Sequence, residues 1–294
     1  GSKISSQVRY SKEPQRFISQ LWSKEHAYRY QFDDAMFFTK FPFRSVLATG
    51  NVFGDLALDA NQNIYACGTR VNDKSVFKFS ADGEQIWSYD TGNRANAVAI
   101  DPTTGNILVC GVEADGKATW RLDADNGDLI DSYTFGNDKR DIAVDAAGNL
   151  YLVGVAVNSF DSAGSSRWSY YAGFSIGNNR LALDSLGNVY ASGMWSNYGK
   201  VVKLTNAGAS VWGKSVKNMY VWSLGVDSGG NVYCGGRYND ESCSAWNYDT
   251  DGNYQWKYET GDNVLGLAVD SSDRVILVGN VGDDGKTMWM LDDS

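Results

Sequence analysis

Short apolar runs that end at an aspartate recur along most of the chain. In six places such a run is followed by a polar turn and a second apolar run that ends at glycine. These segments are LALDANQNIYACG from Leu56, VAIDPTTGNILVCG from Val98, IAVDAAGNLYLVG from Ile142, LALDSLGNVYASG from Leu181, LGVDSGGNVYCGG from Leu224 and LAVDSSDRVILVG from Leu267. Because the period is about 40 residues, we interpret the chain as an array of repeated supersecondary units.

Each unit has the pattern of four strands. The first strand is apolar and ends at the aspartate. The turn that follows, as at Asp184, contains Gly187 and Asn188, which tolerate positive φ, while the aspartate side chain can cap it. The second strand is N-x-Y-x-x-G, the third is short, and the fourth carries a tryptophan such as Trp212. The second unit differs, because its fourth segment, 130–133, has no tryptophan.

A small residue lies two positions before each repeat aspartate. The six are Ala57, Ala99, Ala143, Ala182, Gly225 and Ala268. Small residues at one place on every first strand indicate crowding, which innermost strands that converge on a common axis would require. Four-stranded units of this period are typical of propellers. We therefore predict an all-β fold, a β-propeller of four-stranded antiparallel blades.

The last repeat has three predicted strands, so an N-terminal strand is expected to complete it and close the ring. In one register, residues 5–10 are the closing strand and residues 1–48 also contain a diverged seventh blade. In the other, residues 43–49 close a six-bladed ring and the preceding residues form an extension. We favour seven blades, with six regular repeats over 49–294 and one domain overall.

Composition excludes several classes of function. The net charge of −9 argues against a protein that tracks nucleic-acid phosphates. One histidine, His26, leaves almost no room for histidine metal clusters or a Ser-His-Asp relay. No apolar run is long enough for a membrane span. Residues 1–40 carry a net charge of +3, which we expect to complement the acidic remainder rather than an acidic partner.

The four cysteines, Cys67, Cys110, Cys234 and Cys243, lie in predicted strands and are expected to be buried thiols. A Cys234–Cys243 bridge across a hairpin remains an alternative. Two acidic turns, at residues 123–128 and 249–253, alternate oxygen ligands as a calcium loop does. Neither has a bidentate glutamate at the expected place, so we interpret both as capped turns and expect no metal site.

The unit D-x-x-G-N-x-Y-x-x-G, followed by K-[LF] and G-x-x-x-W, resembles a bacterial and phage β-propeller repeat family. Its tryptophan-bearing half resembles pyrroloquinoline-quinone-type propeller repeats. Residues 182–193 with Lys203, Leu204, Gly208 and Trp212 carry the likeness best. The resemblance implies a binding module or scaffold at a cell surface, envelope or virion, rather than in the cytoplasm. The adjacent cysteine pair of quinoprotein dehydrogenases is absent from the sequence, and we expect no cofactor.

Loops at one end of a propeller commonly form its binding site. We predict that a protein or glycan partner, but not a nucleic acid, binds such a loop face without catalysis. Aromatic and arginine side chains are frequent anchors at interfaces. The predicted binding residues are Trp195, Tyr198, Tyr220, Trp222, Tyr238, Arg180, Arg237 and Asn179.

The alternative is an enzyme that acts on glycans with carboxylates at the axial mouth. The candidate carboxylates are Asp55, Asp138 and Asp141. A glycosidase would need two of them at the separation that its mechanism requires.

Overall fold

The protein is a β-propeller in a computed structural model that describes residues 53–134, 138–196, 198–238, 243–270, 272–280 and 287–291. Six antiparallel sheets follow one another along the chain, and each is one blade. The predicted fold class is therefore confirmed. The choice between six and seven blades, the closing strand and the proposed boundary at residue 48 fall outside the described residues and stay predictions.

The strands follow the repeat. Blade 1 comprises β1 (Phe53–Leu58), β2 (Ile64–Val71), β3 (Lys74–Phe79) and β4 (Gln85–Tyr89). Blade 2 comprises β5 (Ala95–Ile100), β6 (Ile107–Ala114), β7 (Lys117–Leu122) and β8 (Leu129–Tyr133). Blade 3 comprises β9 (Asp141–Val144), β10 (Leu150–Val153), β11 (Val157–Phe160) and β12 (Ser166–Tyr170).

Blade 4 comprises β13 (Ser175–Leu183), β14 (Val189–Trp195), β15 (Tyr198–Leu204) and β16 (Ser210–Lys217). Blade 5 comprises β17 (Met219–Val226), β18 (Val232–Tyr238), β19 (Cys243–Tyr248) and β20 (Tyr254–Glu259). Blade 6 comprises β21 (Val264–Val269), β22 (Val275–Gly279) and β23 (Met288–Leu291).

Within every blade the strands pair in chain order as an antiparallel meander. Blades 1 to 5 have four strands, and the sheet of blade 6 has three among the described residues, as its repeat predicts. The first strand of each blade contacts the first strand of the next, so β1, β5, β9, β13, β17 and β21 form the inner layer. Large apolar residues between successive blades make up the core.

The repeat aspartate organises the turn between the first two strands. In blade 4, Asp184 Oδ1 accepts hydrogen bonds from the backbone N–H groups of Leu186 (3.0 Å) and Asn188 (2.8 Å). Its Oδ2 accepts from the Asn188 side chain at 2.8 Å and from the Tyr190 hydroxyl at 3.1 Å. The Oδ2 atoms of Asp59, Asp145 and Asp227 accept the corresponding asparagine and tyrosine bonds in blades 1, 3 and 5. One carboxylate thus explains why aspartate, asparagine and tyrosine recur together.

The tryptophan of the fourth strand joins its blade to the next one. The Trp168 indole N–H donates to the carbonyl oxygen of Asn206, in the last turn of blade 4, at 2.8 Å. Trp87 and Trp212 make the same bond to Ala124 and Thr250, each at 3.0 Å. Each tryptophan ring also contacts the tyrosine of its own second strand, as Trp168 contacts Tyr151 with centroids 5.9 Å apart. We call this arrangement the inter-blade clasp.

The glycine of that last turn is where the tryptophan of the preceding blade packs. A Cβ atom on Gly208 would lie 2.5 Å from the Trp168 ring, and Gly208 has a φ of 83°. Blade 2 has no tryptophan in its fourth strand, but Tyr133 takes its place, since a Cβ on Gly164 of blade 3 would lie 2.3 Å from the Tyr133 ring. The turn therefore needs glycine for both its backbone conformation and the available space.

The small residue on each first strand lies in the predicted crowded place. Blade 5 has Gly225 there, and a Cβ on it would lie 2.5 Å from Leu267 Cδ2 of blade 6.

The cysteines Cys67, Cys110 and Cys234 are buried free thiols. Because Cys234 is a free thiol, the alternative Cys234–Cys243 bridge is not formed. No helix in the described ranges is long and apolar enough to cross a membrane.

We expect Gly208→Ala to lower the free energy of unfolding by about 1–3 kcal/mol more than Gly105→Ala. Both glycines have positive φ, at 83° and 77°, so the backbone cost is matched. A Cβ on Gly105 meets no atom within 4 Å, whereas one on Gly208 displaces Trp168. Urea denaturation followed by circular dichroism measures the difference, and equal losses for the two variants would contradict the clasp.

Candidate functional site

The hairpins between second and third strands, and the links from each fourth strand to the next blade, lie at the same end of the blades. We call this end the connection face. On it, Trp195 and Tyr198 are cross-strand partners at the end of the β14–β15 hairpin. Their rings are 6.0 Å apart, and Trp195 is 55% exposed. In β17 of blade 5, the rings of Tyr220 and Trp222 are 6.4 Å apart.

These two ring pairs belong to neighbouring blades that touch. A Cβ on Gly199, beside Tyr198, would lie 2.6 Å from the carbonyl oxygen of Met219, beside Tyr220. The backbones that carry the two pairs therefore meet at one blade boundary. We call Trp195, Tyr198, Tyr220 and Trp222 the aromatic patch. Tyr198, Tyr220 and Trp222 are partly buried, so Trp195 is the most accessible of the four side chains.

The other predicted binding residues lie in different surroundings. Arg237 is exposed and pairs in register with Tyr220, at the border of the patch. Asn179 is fully buried, and its Nδ2 donates to the Gly154 carbonyl of blade 3 at 2.5 Å. Arg180 lies on the inner strand β13, and its charge affects the ionisation of Asp55, one of the axial carboxyls described next. The side chain of Tyr238 falls outside the described residues.

A second group of polar residues lies on the inner strands, four positions before each repeat aspartate. In blades 1 to 6 this position holds Asp55, Ala97, Asp141, Arg180, Ser223 and Gly266. In several blades a β-bulge immediately precedes it, as at Gly54 between Phe53 and Asp55. A bulge re-aims the side chain that follows it. We call these six residues the axial positions.

Two axial aspartates join neighbouring blades. Asp55 Oδ2 accepts the N–H of Val98 in blade 2 at 2.9 Å, and its carboxyl also accepts the N–H of Leu56. Asp141 accepts the N–H of Ile142 through Oδ1 and that of Leu181 in blade 4 through Oδ2, both at 2.9 Å. Each carboxyl therefore binds its own blade and the following one.

The axial carboxyls interact electrostatically. Burial raises the pKa of Asp55 to about 8, and the charge of Asp141 adds to the rise, while Arg180 and the backbone hydrogen bonds oppose it. Asp55 is therefore largely protonated at neutral pH.

A buried lysine lies near the start of blade 3. Burial lowers the pKa of Lys139, whose Nζ donates to Asn158 Oδ1 at 3.0 Å.

The third candidate carboxylate is differently placed. Asp138 precedes the inner strand β9, accepts the N–H of Glu113 at 3.1 Å and lies 3.6 Å from Arg140 Nη2. It is held at the surface link between blades 2 and 3. Asp55 and Asp141 are thus the pair that the fold brings within electrostatic range of each other, and Asp138 is engaged elsewhere.

The two acidic turns use their carboxylates to cap the backbone. Asp123 Oδ1 accepts the N–H groups of Asp125 and Asn126 at 2.8 and 3.2 Å. Asp249 Oδ1 accepts those of Asp251 and Asn253 at 3.0 and 2.7 Å. In the described part of the chain, no three histidine, cysteine or acidic side chains lie together as metal ligands would.

Comparison with known proteins supports the fold. No protein-family model matches the chain, and no curated protein matches it in sequence. Solved structures that are similar include BamB from Moraxella catarrhalis, with a TM-score of 0.58 and 16% identity over 81% of this chain and 69% of that one. Hydrazine synthase from Kuenenia stuttgartiensis has a TM-score of 0.65 and 12% identity over 82% and 83%.

A gluconolactonase from Xanthomonas campestris, XC5397, is similar with a TM-score of 0.51 and 18% identity over 79% of this chain and 82% of that one. Similarity at these identities shows the fold alone. Proteins named as enzymes are among these neighbours, so the propeller by itself does not determine what this chain does.

The sequence predicts Asp55 and Asp141 at the axial mouth but does not predict the contacts that they make. Both aspartates lie four residues before a repeat aspartate, which is the pattern that relates them. Across the six repeats, this position holds two acids, one arginine, one serine and two small residues. Only the structure shows that Asp55 and Asp141 accept N–H groups of the neighbouring blade.

We expect the contribution of Asp55 to the free energy of unfolding to fall as the pH rises from about 4 to about 8. The folded state keeps a proton on Asp55 that the unfolded state releases near its ordinary pKa, so deprotonation favours unfolding. Asp55→Asn, which cannot ionise, should therefore gain stability relative to wild type as the pH rises. Urea denaturation at pH 5, 6.5 and 8 measures this difference.

Asp82→Asn, on an exposed turn, is the control and should run parallel to wild type over the same range. A stability difference between Asp55→Asn and wild type that does not change with pH would contradict the raised pKa.

Proposed function

We propose that this protein is a non-catalytic β-propeller binding module that recognises a protein or glycan partner through the aromatic patch. The observation that carries the proposal is the pair Trp195 and Tyr198, which the β14–β15 hairpin presents on the connection face. A tryptophan that is 55% exposed gains little from the fold itself, since half of its surface stays in water. Its ring is available to a partner.

The surroundings of the pair suit recognition. Tyr220 and Trp222 provide a second ring pair on the neighbouring blade, and the exposed Arg237 pairs in register with Tyr220. Lys217, also exposed, pairs with Tyr198. Aromatic rings with flanking cations bury large areas at low entropic cost and are common among the residues that dominate binding energy. The rigid sheets beneath hold the rings in place.

Trp195→Ala with Tyr198→Ala should weaken partner binding at least tenfold, because the truncation removes two anchor rings. Tyr254→Ala is the matched control, since Tyr254 is also 55% exposed but lies on the outer strand β20. Glycan arrays and arrays of surface proteins, with affinities then measured by calorimetry, distinguish the two partner classes. Unchanged binding by the double variant, or equal weakening by the control, would refute the patch.

A second candidate is a glycan-acting enzyme that uses the axial carboxyls. It is favoured by one observation: burial raises the pKa of Asp55 to about 8, and the charge of Asp141 adds to the rise, so Asp55 carries a proton at neutral pH. A carboxyl that stays protonated near neutral pH is typical of a general acid. Against it, both carboxyls already accept backbone N–H groups.

If this second function holds, Asp55→Asn should abolish the proton donor and reduce glycan turnover by at least 100-fold. Turnover is followed as released reducing ends on a broad glycan panel, with Asp82→Asn as the exposed control. Absence of turnover by the wild type on the whole panel would leave the binding module as the function.

A further inference from the structure

The inner strands carry a series of equivalent backbone N–H groups, one directly after each axial position. Their residues hold the same register in every blade: Leu56 pairs with Ala66, Val98 with Val109, Ile142 with Leu152, Leu181 with Ala191, Leu224 with Cys234, and Leu267 with Leu277. The N–H groups of the first four of these residues donate to an axial aspartate.

Each axial aspartate accepts one N–H group from its own blade and one from the next blade. Asp55 accepts those of Leu56 and Val98 in blades 1 and 2, and Asp141 accepts those of Ile142 and Leu181 in blades 3 and 4. By the same spacing, an acid at the axial position of blade 5 would accept the N–H groups of Leu224 and Leu267 in blades 5 and 6. The chain has Ser223 at that axial position and glycine at the next, Gly266. Neither supplies a carboxyl.

Ser223 itself is left with an unused polar group. Its side chain is 4% exposed, and its Oγ atom has no hydrogen-bond partner among the described residues. A buried hydroxyl without a partner costs free energy, so an acceptor that reached it would be stabilised. Ser223 holds on β17 the position that Asp55 holds on β1 and Asp141 holds on β9. From that position the two aspartates reach the N–H groups of two blades.

A positive charge lies on the neighbouring blade. Arg180 occupies the axial position of blade 4, close enough to influence the ionisation of Asp55 across the inner layer. Within the described residues its guanidinium makes no ion pair. Its Nη1 donates to the Asn179 carbonyl at 3.1 Å, and its buried Nε has no partner. Arginine with free donors is well suited to a planar, two-oxygen anion.

We propose that the axial positions of blades 4 to 6 bind a carboxylate group of a ligand. The ligand's carboxylate would accept the N–H groups of Leu224 and Leu267, as Asp55 and Asp141 do elsewhere, with Ser223 Oγ and Arg180 as further donors. The internal aspartates are the argument for a carboxylate over a tetrahedral anion, since they show that this backbone spacing accepts a carboxyl between two blades. The carboxylate can come from an acidic sugar or from a peptide terminus.

The experiment is a titration of the ¹⁵N-labelled full chain, followed by the amide chemical shifts of Leu224 and Leu267. D-glucuronate and N-acetylglycine are the probes for the two sources, and D-glucose and N-acetylglycinamide are their neutral counterparts. We expect saturable shifts at both amides with at least one acid, and none with its neutral counterpart. Which acid binds more tightly identifies the source. Equal shifts with the neutral compound, or no saturation with either acid, would overturn the proposal.

Variants test the geometry. Ser223→Asp places a carboxyl on the chain itself, so it should abolish binding of the acids while the protein stays folded by its thermal transition. Arg180→Gln should weaken binding about tenfold, and Arg180→Lys should restore part of it. Lys214→Gln, which removes a charge from the outer strand β16, should leave the affinity unchanged. If Ser223→Asp does not fold, unchanged affinity in Arg180→Gln alone would refute the site.

This site is independent of the aromatic patch. The Trp195→Ala and Tyr198→Ala double variant should keep wild-type affinity for the acids. Loss of partner binding with retention of acid binding, or the reverse, therefore separates the failure of one proposal from the failure of the other.

Discussion

The inter-blade clasp is the interaction on which the rest of the structure depends. A blade alone is a small antiparallel meander with two apolar faces, and it is stable only when both are covered. Trp168 covers the face of its own blade through Tyr151 and holds the last turn of the next blade through Asn206. Blades 1, 3 and 4 make the same contact, and Tyr133 of blade 2 packs at the corresponding glycine, so each of these four blades fixes the position of the next one.

A basic side chain from the third strand strengthens the clasp at the same turn. Lys203 Nζ donates to both oxygens of Thr250 at 3.0 and 2.7 Å and lies 5.2 Å from the centre of the Tyr190 ring. In blade 1, Lys78 Nζ donates to the Ala124 carbonyl oxygen of blade 2 at 2.8 Å and lies 5.3 Å from the centre of the Tyr65 ring. The lysine is buried, yet its charge is matched by carbonyl oxygens and an aromatic face. This explains why the repeat combines K-[LF] with a turn glycine and a tryptophan.

A scaffold fixed in this way leaves two regions free to vary. At the connection face the aromatic patch lies at the boundary of blades 4 and 5, where the hairpins extend beyond the common core. At the inner strands the axial positions differ from blade to blade, although their backbone register is the same. Both regions use chemistry that the repeat does not need for packing, which is why they are the candidates for function.

The sequence by itself determined the repeat, the four-stranded unit and the aspartate turn, because these depend on residues a few positions apart, such as Asp184, Asn188 and Tyr190. Among the predicted binding residues, Trp195 is exposed in the structure, and its role in binding stays a prediction. The sequence predicted Asn179 as a binding residue, and only the tertiary structure placed that side chain in the interior. The axial positions show the same limit: Asp141 and Leu181 are 40 residues apart, and a contact of that range exists only once two blades have packed together.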